Sequence, residues 1–197
     1  MDLILLEPGD QSIFWEKNSF TTGGSLINPN APNVSAPWNT SAFTKNSCIE
    51  LVSIHQGMKQ QITTDVSNSA RTSGRPVVTE FTCVKYVDKL SVKFYDYCLR
   101  AATLGKGPTN PTMIYICRNS GDVLLNLMTF ALKDTLISEI QMQSHPNDMP
   151  TEQFKLSFTE VTWTFTVQNN DMSAGGNITT GWSLARNAPI GGKFTGG

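Results

Sequence analysis

The feature that most constrains the fold of this chain is a strict two-residue alternation in its C-terminal third. Val161, Trp163, Phe165 and Val167 alternate with three threonines. Successive side chains of a β-strand point to opposite faces, so this segment predicts a strand with one apolar and one polar face. Gly175–Asn177 then predicts a turn, and 178–185 predicts the partner strand. The two strands would form the closing hairpin of an antiparallel β domain.

Just before this strand, the apolar residues change from even-numbered to odd-numbered positions. Phe154, Leu156 and Phe158 occupy even positions, whereas the apolar residues from Val161 onwards occupy odd ones. One extra residue in a strand shifts the alternation in this way, so the pattern predicts a β-bulge near Thr159 or Glu160.

Other segments also favour extended structure, which gives about eight strands in all. The predicted strands cover residues 3–7, 49–56, 78–87, 113–118, 123–132 and 135–143. Residues 119–122 form a strong hairpin-turn signal between two of them. In the strand at 49–56 we expect Val52 and Ile54 to face the core, which turns Ser53 and His55 the other way.

One segment predicts a helix. Ser91 is a suitable N-cap, and Phe94, Tyr97, Cys98 and Ala101 recur at the spacing of one helical face. We expect this apolar stripe to cover the sheet and Gly105 to end the helix.

Two segments predict loops. Residues 18–44 contain no charged side chain and several glycines and prolines, so the interval at 11–47 predicts a long loop. Residues 66–76 are polar and contain Gly74 and Pro76. The expected fold is a single all-β domain over 1–190, an antiparallel barrel or two-sheet sandwich with one flanking helix, followed by a flexible tail at 191–197.

Composition excludes several classes of function. The net charge is −1 and only 16% of residues are charged, which argues against nucleic acid as a partner. Residues 1–7 are too short and too acidic for a signal peptide or a membrane span, so we expect cytosolic synthesis and no direct membrane insertion. If a protein of this kind is exported, we expect it to leave the cytoplasm without a secretory signal peptide.

The search for chemistry finds no catalytic, metal-binding or cofactor-binding motif. The cysteines, which are Cys48, Cys83, Cys98 and Cys117, show no C-x-x-C spacing and predict reduced, mostly buried thiols. His55 and His145 are the only histidines, and a hydrogen-bonded strand position and a solvated loop are their favoured interpretations. A Cys/His pair assembled in three dimensions stays open. The expectation is a protein that is not an enzyme and has no cofactor.

Trp163 and Trp182 allow two interpretations. They could stack on a sugar, or they could belong to the core. The core is favoured because Trp163 shares its face with Val161, Phe165 and Val167.

An ordered set of segments resembles the Hcp family, the tail-tube proteins of bacterial type VI secretion. The set begins with DLILLEPGD, IELVSIHQGM and FTCVKYVDKLSVKFYDYCLRA, continues with LKDTLISEIQM, and ends with FTEVTWTFTVQ and GGNITTGWSLARNAPI. The resemblance covers most of residues 1–10 and 48–190. The interval at 11–47 has no counterpart in typical members, so no residue role is carried over there.

The resemblance implies a structural role. Hcp-like chains form homo-hexameric rings that stack into a tube, contact a contractile sheath and a VgrG spike protein, and carry effectors in the lumen. It also implies export to the medium or a target cell without a signal peptide. By position in the family, Ser53 and His55 are candidates to face the lumen, and the loop bearing Arg71, Ser73, Gly74 and Arg75 is a candidate for ring stacking.

Two alternatives remain at this stage. The first is a tail-tube protein of a phage or phage-like contractile particle, which shares the fold. The second is a secreted β-sandwich that binds a small ligand with the loop at 11–47 and the tryptophans. The second predicts a monomer, whereas the tube predicts a ring.

Overall fold

The protein is described here from a computed structural model, in which residues 3–14, 48–65, 70–107, 109–120, 123–169 and 174–191 are placed. The predictions for residues 18–44 and for the tail from residue 192 onwards lie outside these ranges. The placed residues form an antiparallel β structure with one α-helix, so the predicted fold class is confirmed.

Most strands belong to two antiparallel sheets. The larger contains, in spatial order, β16 (Ala188–Pro189), β15 (Ala174–Ser183), β14 (Glu160–Gln168), β11 (Val123–Lys133), β10 (Thr112–Ser120), β1 (Leu3–Glu7) and β2 (Ile49–Leu51). The smaller contains β3 (Ser53–His55), β8 (Phe81–Tyr86), β13 (Thr151–Ser157), β12 (Thr135–Gln143) and β9 (Thr103–Gly105). A short 3-10 helix, Gln11–Ile13, follows β1.

A small arm stands apart from both sheets. Its base pairs β4 (Met58–Lys59) with β7 (Val77–Val78), and its outer part pairs β5 (Ile62–Asp65) with β6 (Ala70–Ser73). The predicted loop at 66–76 is therefore partly wrong, because residues 70–73 form a strand.

Three corners of one or two residues carry the chain directly from one sheet to the other, and a longer connection joins β9 to β10. Val52 separates β2 from β3, Asp134 separates β11 from β12, and residues 158–159 separate β13 from β14. Asp134 has a left-handed φ of 50°, which turns the chain sharply. The apolar faces of both sheets meet between these corners, where the core includes Leu6, Phe81 and Phe154.

The corner at 158–159 overturns the predicted bulge. Phe154 and Leu156 belong to β13 of the smaller sheet, whereas Val161 begins the buried face of β14 in the larger one. The parity changes because the strand ends and a new strand starts in the other sheet.

The closing hairpin is present, but the turn predicted inside it is wrong. Gly176 and Asn177 lie within β15, opposite Val167 and Thr166 of β14. The register shifts between Val167 and Gln168, which marks a bulge, and Gly176 takes the positive φ of 127° that glycine tolerates. β15 ends at Ser183 rather than at residue 185.

The helix α1 (Ser91–Arg100) starts and ends differently from the prediction. The residue at the N-cap position is Leu90, without a side-chain cap, and Ser91 lies inside the first turn. The helix ends at Ala101, which is left-handed with φ of 50°, while Gly105 belongs to β9. Its inner face packs as expected, because Phe94 is buried edge-on against Phe154, with 5.0 Å between ring centroids.

The cysteines are free thiols, and Cys48, Cys83 and Cys117 are buried while Cys98 is half-buried. Burial raises the pKa of Cys117 to about 12 and also raises the pKa of Cys83. Across the placed ranges, no helix combines the length and apolar character needed to span a membrane.

Candidate assembly surfaces

Strand β3 exposes both candidate lumen residues. Ser53 and His55 are exposed, while Ile54 between them packs partly against the core. β3 pairs with β8 through the register Ser53↔Val84 and His55↔Thr82. The side chains of Ser53 and His55 are thus accessible to a binding partner outside the subunit.

The predicted inward position of Val52 is wrong. Val52 is 49% exposed, because it is the bend at which the chain leaves the larger sheet for the smaller one. Leu51 and Ile49 face the core instead. The single strand expected over 49–56 is two short strands, and its alternation does not continue through the corner.

The arm carries the four residues proposed for ring stacking. Arg71 and Ser73 lie on β6, opposite Thr64 and Ile62 of β5. Gly74 follows β6, and its amide donates a hydrogen bond of 2.8 Å to the carbonyl of Gln61.

Arg75 lies at the base of the arm, where it contacts the body of the same chain. Its guanidinium donates a 2.7 Å hydrogen bond to the carbonyl of Leu184, just after β15. This hydrogen bond ties the base of the arm to the body of the same chain, whereas Ile62 on the outer part of the arm is 60% exposed.

The two tryptophans line one surface groove of about 560 Å³ between the base of the arm and β14–β16. Trp163 also packs partly against the core, as the sequence predicted. The groove is mostly apolar. The remaining lining residues are Met58, Lys59, Gln60, Pro76, Val78, Thr180, Gly181 and Pro189.

A buried ionic cluster fixes the start of α1 on the smaller sheet. The Lys85 ammonium lies 2.6 Å from the carboxylate of Glu152 and 2.8 Å from that of Asp88. Ser91 donates to Glu152 over 2.9 Å, and Tyr95 donates to its second oxygen over 3.1 Å. All charges of the cluster are compensated by short contacts, as buried charges require.

Sequence reasoning missed this cluster, although a signal existed. Lys85 lies on the same face of its strand as the buried Phe81 and Cys83, because the three residues alternate at every second position. Glu152 shares a face with Phe154 and Leu156 in the same way. A lysine and a glutamate at inward positions of two strands predict a buried pair if the strands are neighbours. The sequence alone does not say that they are.

A second charged cluster holds the corner beside β14. Glu160 accepts hydrogen bonds from Lys133 at 3.1 Å and from Arg186 at 2.8 Å. The hydrogen bond from Lys133, assisted by those from Arg186 and Ser183, keeps the pKa of Glu160 below its ordinary value despite burial.

Within the placed ranges, no group of three or more His, Cys, Asp or Glu side chains is arranged to hold a metal ion. The features that stand out are surfaces for contact, namely the exposed strand β3, the arm and the apolar groove beside it.

Comparison with known proteins gives one family. Residues 39–165 match the family model described as "Type VI secretion system effector, Hcp". No curated protein matches the chain.

Solved structures share the fold over nearly the whole chain. A structure titled as a type six secretion system protein is 19% identical with a TM-score of 0.70, covering 96% of this chain and 100% of that one. Hcp1 from Salmonella typhimurium is 17% identical with a TM-score of 0.58, covering 96% and 99%. The Hcp1 protein from E. coli EAEC 042 is 14% identical with a TM-score of 0.55, covering 93% and 97%.

Proposed function

Because this chain belongs to the Hcp family of type VI secretion system proteins, we propose that it is a structural tail-tube subunit. In this role it forms hexameric rings, the rings stack into a tube, and effectors are carried in the lumen. The observation that carries the proposal is the family match over residues 39–165, which includes β3, the arm and α1.

The surfaces described above are suited to distinct parts of this role. Ser53 and His55 are exposed on one short strand and are proposed to face the lumen and its cargo. The outer part of the arm is proposed to reach a neighbouring ring. Arg71 lies on the outer strand pair of the arm, and Arg75 ties the base of the arm to the body of the same chain.

The proposal also names partners and a route. The tube would contact a contractile sheath on its outside and a VgrG spike protein at its tip. It would leave the cytoplasm through the secretion apparatus to reach the medium or a target cell. A tail tube works through assembly, so the proposal requires no enzymatic activity.

The decisive experiment measures the assembly state of the purified full chain. Analytical ultracentrifugation over a wide concentration range, with negative-stain electron microscopy, should give closed six-membered rings. Monomer alone at every concentration would overturn the proposal. Neighbouring genes for a sheath, an ATPase and a membrane complex would favour type VI secretion over a phage-like particle.

A further inference from the structure

Trp163 and Trp182 are neighbours on one face of the larger sheet. Trp182 of β15 lies opposite Val161 of β14, and Trp163 lies opposite Thr180. Directly opposed residues of paired strands share a face, and diagonal neighbours such as the two tryptophans are about 7–8 Å apart. Because Val161 is buried in the core, both tryptophans lie on the core side of the sheet. The groove of about 560 Å³ that they line has the base of the arm as its other wall.

A second groove adjoins the first. It has a volume of about 250 Å³ and shares Pro76, Val78 and Trp182 with the first groove. Large apolar side chains stay in solvent along both, since Met58 is 59% exposed and Val77 is 49% exposed. A contiguous exposed apolar surface of this kind marks a site of contact with another molecule.

Hydrogen bonds hold the walls of the two grooves in place. At the base of the arm, the amide of Gly57 donates to the hydroxyl of Thr79 over 2.8 Å, and the amide of Thr79 donates to the carbonyl of Gly57 over 2.9 Å. The hydrogen bond from Arg75 to Leu184 then joins this base to the body of the chain. A site that is formed before binding loses less conformational freedom when a ligand enters.

The charges along the grooves have one sign. Lys59 lines the first groove and Arg75 lines the second, and no aspartate or glutamate is among the residues that line either. Within the placed part of the chain, neither cation forms an ion pair. Apolar walls beside two uncompensated cations are complementary to an apolar segment that carries negative charge.

The polar groups of the first groove are poorly suited to a neutral sugar. Each hydroxyl of a sugar that is removed from water needs a hydrogen-bond partner. Gln60 and Thr180 are the neutral polar side chains that line this groove, and the amide of Gln60 already donates to the carbonyl of Gly74. The chemistry of the lining therefore favours an apolar ligand with an acidic group over a sugar.

We propose that these adjoining grooves bind an extended peptide segment of a partner protein. A large apolar residue of the segment contacts Trp163 and Trp182, and an acidic residue beside it pairs with Lys59 or Arg75. Side chains at every second position of an extended peptide point the same way, so one segment can place side chains in both grooves. Because all of the lining residues belong to one chain, this inference does not depend on the proposed ring.

Selection from a phage-displayed library of random linear peptides on the purified full chain tests the proposal. It should enrich peptides in which a large apolar residue lies beside an acidic one. A fluorescein-labelled copy of the most enriched peptide should then bind the native chain in a fluorescence anisotropy titration. No enrichment, or enriched peptides that lack the acidic residue, would overturn the proposal.

Two substitutions show whether the selected peptide occupies the groove. Trp182→Ala should weaken binding about tenfold or more, as the loss of a central tryptophan at an interface does. Lys59→Glu reverses an exposed charge and should weaken binding several-fold. Lys89→Glu is the matched control, because Lys89 is also exposed but lies just before α1 and lines neither groove. Equal binding to the native chain and to Lys59→Glu would overturn the proposal, even if the Trp182→Ala variant does not fold.

Two further measurements separate the peptide from other occupants. The selected peptide should change the tryptophan emission of the native chain, and Trp182→Phe should reduce this change, whereas the neutral oligosaccharide chitohexaose should have no effect. A saturable response to chitohexaose alone would identify a sugar site instead. If Lys59→Glu alters the sedimentation of the chain but not its affinity for the peptide, the groove holds a second copy of the chain and the peptide site is wrong.

Discussion

The ammonium of Lys85 and a carboxylate oxygen of Glu152 lie 2.6 Å apart, and both side chains are almost completely buried. The two residues face each other across β8 and β13. Asp88 adds a second carboxylate and Phe94 places its ring 5.5 Å from the ammonium. The pair joins the two strands to the first turn of α1, because Ser91 and Tyr95 both donate to Glu152.

We predict that Lys85→Met strongly destabilises the fold. The substitution leaves the carboxylates of Glu152 and Asp88 buried without their cation, and breaking a buried pair in this way costs about 3–5 kcal/mol. Chemical denaturation monitored by circular dichroism measures the loss. Lys155→Met, which breaks the exposed pair with Glu139, should leave the midpoint near that of the native chain. Equal effects of the two variants would contradict the assigned role of the buried pair.

Local patterns predicted the bounds of two strands correctly. β1 at Leu3–Glu7 and β12 at Thr135–Gln143 have the predicted boundaries. The hairpin of β10 and β11 was also predicted, because residues 119–122 have turn chemistry and both flanks are apolar.

The predictions failed where the chain changes sheets. At Val52 and at residues 158–159 the alternation does not show whether a strand bulges or ends, since both shift the parity of apolar residues. The predicted end of the helix was wrong for a different reason. Ala101 adopts the left-handed conformation that glycine usually supplies, so Gly105 was a misleading signal. The buried Lys85 cluster depends on strand pairing, which is a property of the whole fold.

We predict that Glu160 stabilises the fold in a pH-dependent way. Its hydrogen bonds hold its pKa below the ordinary value of 4.5, so the folded state prefers the charged carboxylate. This stabilisation is complete above about pH 4.5 and is lost as the pH falls through the lowered pKa. Thermal melting should therefore show Glu160→Gln less stable than the native chain at pH 7. The difference should shrink at pH 3, and a constant difference would contradict the linkage.

We predict that Gly9→Ala destabilises the fold through steric overlap. A Cβ at Gly9 would overlap the carbonyl oxygen of Asn110 and lie 2.9 Å from the Cα of Gly105. These are backbone atoms that cannot rotate away, and overpacking of this kind costs about 1–3 kcal/mol. Gly57→Ala is the control, since its nearest atom is the Thr79 hydroxyl at 3.7 Å. A thermal shift for Gly9→Ala no larger than that for Gly57→Ala would contradict the prediction.

We predict that the outer part of the arm is needed for stacking but not for ring formation. Residues 62–73 can be replaced by Asn-Gly, because Gln61 and Gly74 are already joined by a hydrogen bond and this dipeptide forms a tight hairpin turn. Rings should form normally, while tubes become rarer in micrographs. Arg75→Ala, which only frees the base of the arm from Leu184, should weaken stacking less. Normal tubes and secretion from the shortened chain would refute the stacking role.

The last prediction concerns the proposed lumen strand. His55 is exposed at the end of β3, and its neighbour Ile54 anchors the strand against the core. Because the ring of His55 is not part of the core, His55→Arg should change the free energy of unfolding by no more than about 0.5 kcal/mol, the usual range for surface substitutions. Arginine adds bulk and a fixed charge, so a lumenal position requires that less effector co-purifies with the rings. Asn147→Arg, in an exposed loop, is the matched control and should leave effector retention unchanged. A His55→Arg variant that unfolds or fails to assemble would place this residue in the core or in a subunit contact instead of the lumen.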